Sequence, residues 1–371
     1  MKVGLELDPY EWHGSCIGSE CTFHHIAPYI GKMKSSMARE IVEACSSPGD
    51  LVMDPFAGSG AIPLESLIGR REVVCTDINP YAVTLTRAKL MAPASLKTAE
   101  RRATRVLDCA LEDGHTVSLE HVPLWVRSFF HPQTLREAIQ FARITRHNND
   151  PFLMACLLGI LHHQRPGFLS YPSSHLVPYL RSRRFPKSKF PELYAYRPLK
   201  PRLMAKISRV YRRPAKIDSS LSRKCWRADV RDLRFEPGCI DAIVTSPPYM
   251  DALDYARDNR LRLWFLGVND YKRYDTRLGS VERFSELMAT FLFRAVRWLR
   301  AGGCCVCVVG EVNRKKKSID IARMIADIAT KQVGGFRLES ITTDDIPDIR
   351  RSRKGSYVKT ESIVSLIKKG K

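Results

Sequence analysis

Long apolar runs are missing from this chain; none approaches the roughly 20 residues that a membrane-spanning helix requires. The first ten residues, Met1 to Tyr10, have neither a basic flank nor an apolar stretch. No secretory signal is read there, and a cytoplasmic protein without membrane association is expected. The eleven cysteines are scattered, and three of them sit in the apolar run Cys304 to Val309. Only Cys16 and Cys21, near His24 and His25, offer a neighbourhood for a metal. Reduced, structural cysteines and no metal are the expected reading. Internal repeats and low-complexity tracts are absent. Acidic residues nearly vanish between Arg181 and Lys216, where thirteen Lys and Arg are opposed by Glu192 alone.

What is present points to a globular protein with a polyanionic partner. Its 371 residues suffice for one large domain or two, and 44% hydrophobic with 27% charged residues is ordinary. The net charge is +21, from 60 basic against 39 acidic residues. Nucleic acid is the default partner for a charge of that size and clustering.

Strand-like and helix-like segments alternate at both ends of the chain. A helix is expected over Lys34 to Ala44, then a strand at Leu51 to Met53. A helix follows over Ile62 to Leu67, a strand over Glu72 to Thr76 and a helix over Pro80 to Met91. The alternation stops over residues 95–222, where Pro132 to Ile144 and Pro151 to His163 read as helices. It resumes with strands at Trp226 to Ala228, Ile240 to Thr245 and Cys304 to Val309, and with helices over Phe284 to Arg300 and Ile319 to Lys331. Two closing strands are expected at Phe336 to Thr342 and Ser362 to Lys368. The fold class is therefore α/β, a doubly wound, mostly parallel sheet. It divides into a cofactor-binding half over 1–94, a largely helical basic insertion over 95–222 and a catalytic half over 223–371. Long insertions in such sheets carry function more often than fold.

The loop Asp54-Pro55-Phe56-Ala57-Gly58-Ser59-Gly60 follows the first strand. Gly58 and Gly60 let backbone approach a ligand closely. The spacing is Gly-x-Gly without a third glycine, and no Lys-Ser/Thr follows, so neither a dinucleotide fingerprint nor a phosphate loop is present. Asp77 ends the second strand, where an acid accepts from both ribose hydroxyls. Asp229, after the third, is placed to accept from an adenine amino group. Ribose recognition without a phosphate cradle describes S-adenosyl-L-methionine. For a lone glycine loop a plain tight turn is the alternative.

A second loop, Ser246-Pro247-Pro248-Tyr249, follows the run Ile240 to Val244. The prolines fix dihedrals and remove backbone donors, which leaves rigid outward carbonyls. An exocyclic amine can donate to the Ser246 side chain and to such a carbonyl, while Tyr249 stacks on the ring. A base inside a duplex reaches such a pocket only by flipping out.

These motifs resemble those of the amino-methylating DNA methyltransferases, which act on cytosine N4 or adenine N6. Asp54 to Gly60 is similar to the family's cofactor motif. Ser246 to Tyr249 is similar to its catalytic motif in the serine form, typical of cytosine-N4 enzymes. Phe23 to Arg39, with Pro28, Lys32 and Lys34, is similar to the family's segment before the cofactor motif. The resemblance covers residues 23–92 and 225–368. It implies the seven-stranded S-adenosylmethionine-dependent fold, with Lys32, Asp54, Pro55, Phe56, Gly58, Gly60, Asp77 and Asp229 holding the cofactor. It also implies target recognition by the insertion, with Arg181, Arg183, Arg184, Lys187 and Lys189 on double-stranded DNA. Nucleoid association and a cognate restriction endonuclease are further expectations. Arg257, Arg260 and Arg262 are read as surface or phosphate contacts beside the packing helix Leu261 to Leu266. Adenine-N6 methylation and RNA-base methylation are the alternatives in the same chemistry. A protein-glutamine methyltransferase would carry Asn-Pro-Pro-Tyr and would not explain the charge. A non-catalytic nucleic-acid binder on the same fold is the alternative from another class.

Overall fold

In the computed structural model, nine strands form among the described residues, and seven of them make one sheet. The described residues are 7–13, 20–114, 116–162, 167–170, 185–248, 255–274, 278, 280–310, 312–314, 317–345 and 360–370. The strands are β1 (Leu51–Asp54), β2 (Glu72–Asp77), β3 (Arg223–Arg227), β4 (Ile240–Thr245), β5 (Leu299–Gly310), β6 (Val312–Arg314), β7 (Lys317–Ile319), β8 (Phe336–Asp345) and β9 (Thr360–Lys368). Their order in the sheet is β3-β2-β1-β4-β5-β9-β8. Strands β1 to β5 are parallel, and β9 enters antiparallel to both β5 and β8. β6 and β7 form a separate two-stranded antiparallel sheet.

Central strands buried on both faces read as continuous apolar runs, and β5 illustrates this. Cys304, Val306 and Val308 pack with Met37, Ile41 and Ile62 on one face. Cys305, Cys307 and Val309 pack with Phe291 and Ile325 on the other. Cys304 and Cys307, three residues apart, therefore point to opposite sides of the sheet, because side chains alternate along a strand.

Ten helices matter for the site and its setting: α1 (Ser35–Cys45), α2 (Ala61–Ile68), α3 (Pro80–Leu90), α4 (Leu96–Gly114), α5 (Pro132–His147), α6 (Pro151–Leu158), α7 (Leu199–Val210), α8 (Arg260–Phe265), α9 (Val281–Trp298) and α10 (Ile321–Asp327). The sequence explains their starts. Pro80, Pro132 and Pro151 occupy first turns, and the preceding Asn79, His131 and Asp150 accept from the free backbone N–H groups of Tyr81, Gln133 and Leu153. Helices α4 to α7 share one apolar cluster with Phe23, Leu64, Tyr81, Leu85, Leu261 and Phe265. The insertion thus packs directly against the layer that carries the glycine loop. No helix among the described residues is long and apolar enough to cross a membrane.

Several basic residues of the insertion bond to other groups of the chain. Lys200 pairs with Asp108 at 2.7 Å, Lys206 donates to the His25 carbonyl at 2.7 Å, and Arg197 donates to the Phe168 carbonyl at 3.1 Å. Lys187 and Lys189 are exposed, while Arg181, Arg183 and Arg184 lie outside the described residues. The reading of Arg262 as a surface group is corrected. It is buried, donates to the Leu158 carbonyl at 3.3 Å and to Asn259 Oδ1 at 3.1 Å, and lies over the Tyr81 ring. Arg260 stacks on Trp125 at 3.9 Å, tying α8 to the insertion.

Candidate active site

Four parallel strands end side by side, and each end carries a residue singled out from the sequence. β1 ends on Asp54 and β2 on Asp77, Asp229 lies two residues beyond β3, and Ser246 directly follows β4. Ligands in open α/β sheets bind at such carboxyl ends. Here a cavity of about 650 Å³ opens, lined by Asp54, Pro55, Phe56, Gly58, Asp77, Asp229, Ser246 and Pro248, among others. That volume suits a ligand of nucleoside size.

The glycine loop is bound tightly to its neighbours. Ala57 N donates to the Thr76 carbonyl at 2.9 Å, and Gly58 N donates to Asp77 Oδ2 at 2.9 Å. Gly58 and Gly60 have φ of +48° and +71°, in the left-handed region that favours glycine. Asp77 also accepts from Asn79 N at 2.8 Å, so its carboxylate is fixed at the cavity wall. At Asp54, Oδ1 accepts from Thr245 Oγ1 at 2.7 Å. This one bond joins the end of β1 to the end of β4, the strand that leads into Ser246.

Burial pushes Asp77 up to about 6, against the backbone N–H donors of Asn79 and Gly58 that favour the ionised form. Asp54 is pushed up to about 7, also by burial, with Thr245 and Phe56 opposing. Both folded-state values lie above the ordinary 3.8, so each acid favours folding most below about 4 and loses that contribution as pH rises through 6 to 7. Cofactor binding should run the other way, because ribose hydroxyls donate to a carboxylate. Affinity should hold above pH 7 and fall by up to about tenfold per pH unit below pH 6. Asp77→Asn should bind weakly and lose most of that dependence. Calorimetry from pH 8 to 5 on both proteins checks this, and an equal slope in the variant would remove Asp77 from the role.

Asp229 is held by Arg231 in a two-pronged pair, at 2.9 Å and 2.6 Å, which keeps its carboxyl below the usual range. The acid is ionised, and its remaining lone pairs can accept from an amine. Ser246 donates its hydroxyl proton to the Val308 carbonyl at 3.1 Å. The Oγ lone pairs therefore remain as acceptors at the cavity wall.

Not every residue expected at the site lines it. Lys32 Nζ turns to the His24 carbonyl at 3.1 Å and towards Glu20 at 3.8 Å, outside the cavity lining. From the same segment Tyr29, Gly31 and Met33 line the wall instead. Gly60 and Pro247 shape their loops from behind, and Tyr249 lies outside the described residues. The histidines near Cys21 are engaged elsewhere: His24 bonds Glu65 and His25 bonds Glu20. Sequence reasoning missed Tyr29, whose ring stacks on Tyr81 at 5.9 Å and abuts Gly58. It also missed Arg273, Arg283 and Glu286, which close the cavity from the far side. Asn79 had a legible signal, since Asn before Pro opens a helix.

Residues 18–88, which include the cofactor loop and Asp77, match a family model described as DNA methylase, of the N6/N4 amino type. The fold is that of S-adenosylmethionine-dependent methyltransferases. The strand order, with one reversed strand beside β5, carries that statement. No curated protein matches the chain. Among solved structures it is similar to TrmN from Thermus thermophilus, at 14% identity and a TM-score of 0.38, covering 93% of this chain and 52% of that one. It is similar to TTHA0409, also from Thermus thermophilus, complexed with S-adenosyl-L-methionine, at 19% identity and a TM-score of 0.26, covering 38% and 51%. It is also similar to the rRNA methyltransferase aviRa from Streptomyces viridochromogenes, at 12% identity and a TM-score of 0.32, covering 98% and 93%. The chain thus spans about half the length of the first two. At these scores the likenesses add nothing to what the strand order establishes. The family match over the glycine loop supports the amino-methyltransferase family, for which S-adenosyl-L-methionine is the cofactor to test against the residues present. The donor set fits it: an acid at the end of β2, a loop whose Gly58 leaves room beside Tyr29, and no phosphate cradle.

Proposed function

We propose that this chain is a site-specific DNA methyltransferase that methylates the exocyclic N4 of cytosine. The observation that carries the reading is Ser246. It stands in the same cavity as Asp54, Asp77 and Asp229, with its own proton committed to Val308. A hydroxyl so fixed accepts from a substrate amine rather than donating to it. When bound, S-adenosyl-L-methionine supplies an electrophilic methyl group on sulfur. The protein's part is placement. Ser246 Oγ and a rigid backbone carbonyl of the proline pair accept the two amine protons and turn the nitrogen lone pair out of conjugation. Pro248 and Tyr249 hold the flat ring, and Asp77 and Asp229 fix the far end of the cofactor. In-line positioning of this kind can supply most of a rate enhancement without a covalent intermediate.

Serine at the first position of the loop favours cytosine, since the resembling adenine enzymes more often carry Asp or Asn there. The same geometry would also take the N6 amine of adenine, which is the second reading. Single-molecule sequencing of DNA from cells expressing the protein tests base and target sequence together. Modified adenine alone would replace the first reading with the second.

The basic insertion supports DNA as the substrate's carrier. Replacing Arg181, Arg183 and Arg184 by glutamine should weaken DNA binding at low salt. It should also reduce the slope of log affinity against log salt by about 0.9 for each phosphate that an arginine no longer neutralises. Cofactor affinity should not change. A salt slope equal to that of the wild type would show that these arginines do not touch phosphates. A restriction endonuclease partner and nucleoid association belong to the same proposal.

A further inference from the structure

Helix α3 lies directly behind the glycine loop and touches it twice. A Cβ placed on Gly60 would stand 2.6 Å from Thr86 Oγ1, so α3 and the loop are already in close contact there. One turn further on, the fully buried Lys89 donates from Nζ to the Ser59 carbonyl at 2.5 Å. The two acids whose charge acts on it, Glu65 and Glu20, are bonded elsewhere. Glu65 is bonded by His24 at 2.7 Å and approached by Arg39, while Glu20 is bonded by His25 and approached by Lys32. Among the described residues Lys89 thus has a carbonyl for a partner and no carboxylate.

A lysine fully buried without a counter-ion is a costly choice for packing alone, and a Leu or Met would fill the volume. The peptide it contacts gives it a use. The Ser59–Gly60 peptide is planar, so its carbonyl and the Gly60 N–H point in opposite directions. Lys89 holds the carbonyl end, and the Ala57 carbonyl accepts from Gly60 N at 2.7 Å at the other. The plane is pinned at both ends, on the Gly60 side of the span between the two positive-φ glycines. Burial also lowers the Lys89 amine well below its ordinary range, and a neutral amine still donates.

We propose that Lys89 is a positioning residue for the cofactor: its amine fixes the Ser59–Gly60 peptide and with it the surface that the glycine loop presents to S-adenosyl-L-methionine. The inference rests on the cofactor site and holds whichever base is methylated.

The test compares wild type, Lys89→Met, which keeps length and loses the donor, and Lys89→Arg, which keeps a donor but adds bulk and fixed charge. Calorimetry with S-adenosyl-L-methionine and amide hydrogen exchange are measured on each. Lys89→Met should weaken cofactor binding by about tenfold, as expected when one buried hydrogen bond is removed. Its exchange should accelerate over residues 57–61 while β5 stays protected. With DNA as substrate, KM for the cofactor should rise and kcat at saturation should stay near wild type. Lys89→Arg should bind cofactor better than Lys89→Met. Binding by Lys89→Met within about twofold of wild type, with unchanged loop exchange, would overturn the proposal. So would loss of protection throughout the sheet, or a reversed order of the two variants, since either would mark a packing role. Absence of heat in the wild type itself would instead strike the cofactor assignment.

Discussion

Ser246→Ala should lower methyl transfer by roughly 10²- to 10³-fold, the range seen when one preorganised polar partner of a reacting group is removed. Cofactor affinity should stay within about twofold, because the Ser246 hydroxyl is bonded to the Val308 carbonyl and not to the glycine loop or Asp77. The physical reason is a division of labour along the sheet edge. In the proposed function the residues at β1 to β3 meet the cofactor, and the residue after β4 meets the amine. Only the second set changes its interaction as the nitrogen rehybridises, so only that set should appear in kcat. Tyr249→Ala should behave in the same sense through the loss of ring stacking. The measurements are kcat and KM for DNA and calorimetric binding of S-adenosyl-L-methionine. Equal loss of both would refute the role, because a disturbed β4 end would then be spoiling the whole cavity through the Thr245–Asp54 bond. Loss confined to KM for DNA would make Ser246 a binding contact rather than an orienting one.

The sheet was legible where physics leaves a strong local mark. β1, β4 and β5 are buried on both faces, so their apolar runs stand out against polar turns. β3 begins three residues before the expected Trp226 to Ala228. Its sequence Arg-Lys-Cys-Trp-Arg buries only Cys225, as an edge strand can, and leaves no pattern to follow. Helix α4 escapes a sequence reading for a related reason. Its buried face is built largely from alanines, Ala99, Ala103 and Ala110 with Val106 and Leu107, diluted by charged neighbours. At the site, Asp54, Asp77, Asp229 and Ser246 stand out because chemistry and strand ends coincide. Arg262 and Lys89 do not, because a cation on a helix reads as solvated until tertiary packing buries it. Tyr29 belongs with them, since only the stacked Tyr81 and the bare face of Gly58 give it a place.

Gly60→Ala should be the most damaging small substitution in the cofactor half. Two costs coincide there. At φ of +71° an L-residue is strained by about 1–3 kcal/mol. The added Cβ would also lie 2.6 Å from Thr86 Oγ1 and 3.0 Å from Thr86 Cα, and the second contact is backbone that no rotamer change relieves. Overpacking of that kind adds about 1–3 kcal/mol. Gly49 provides the control: its φ is +92°, and nothing lies within 4 Å of the place its Cβ would take. Gly49→Ala should therefore suffer strain alone, far from the cavity, and leave cofactor binding intact. Gly60→Ala should lower Tm further and weaken S-adenosyl-L-methionine binding by roughly a hundredfold, since the loop can escape Thr86 only by leaving its place beside Asp77. Thr86→Ala in the same chain removes the Oγ1 contact but not the backbone one, so it should restore part of the loss and not all of it. Thermal unfolding and calorimetry on the four proteins read these outcomes. Full rescue would mean that strain at φ of +71° is negligible, and no rescue would mean that the side-chain contact with α3 does not limit the loop.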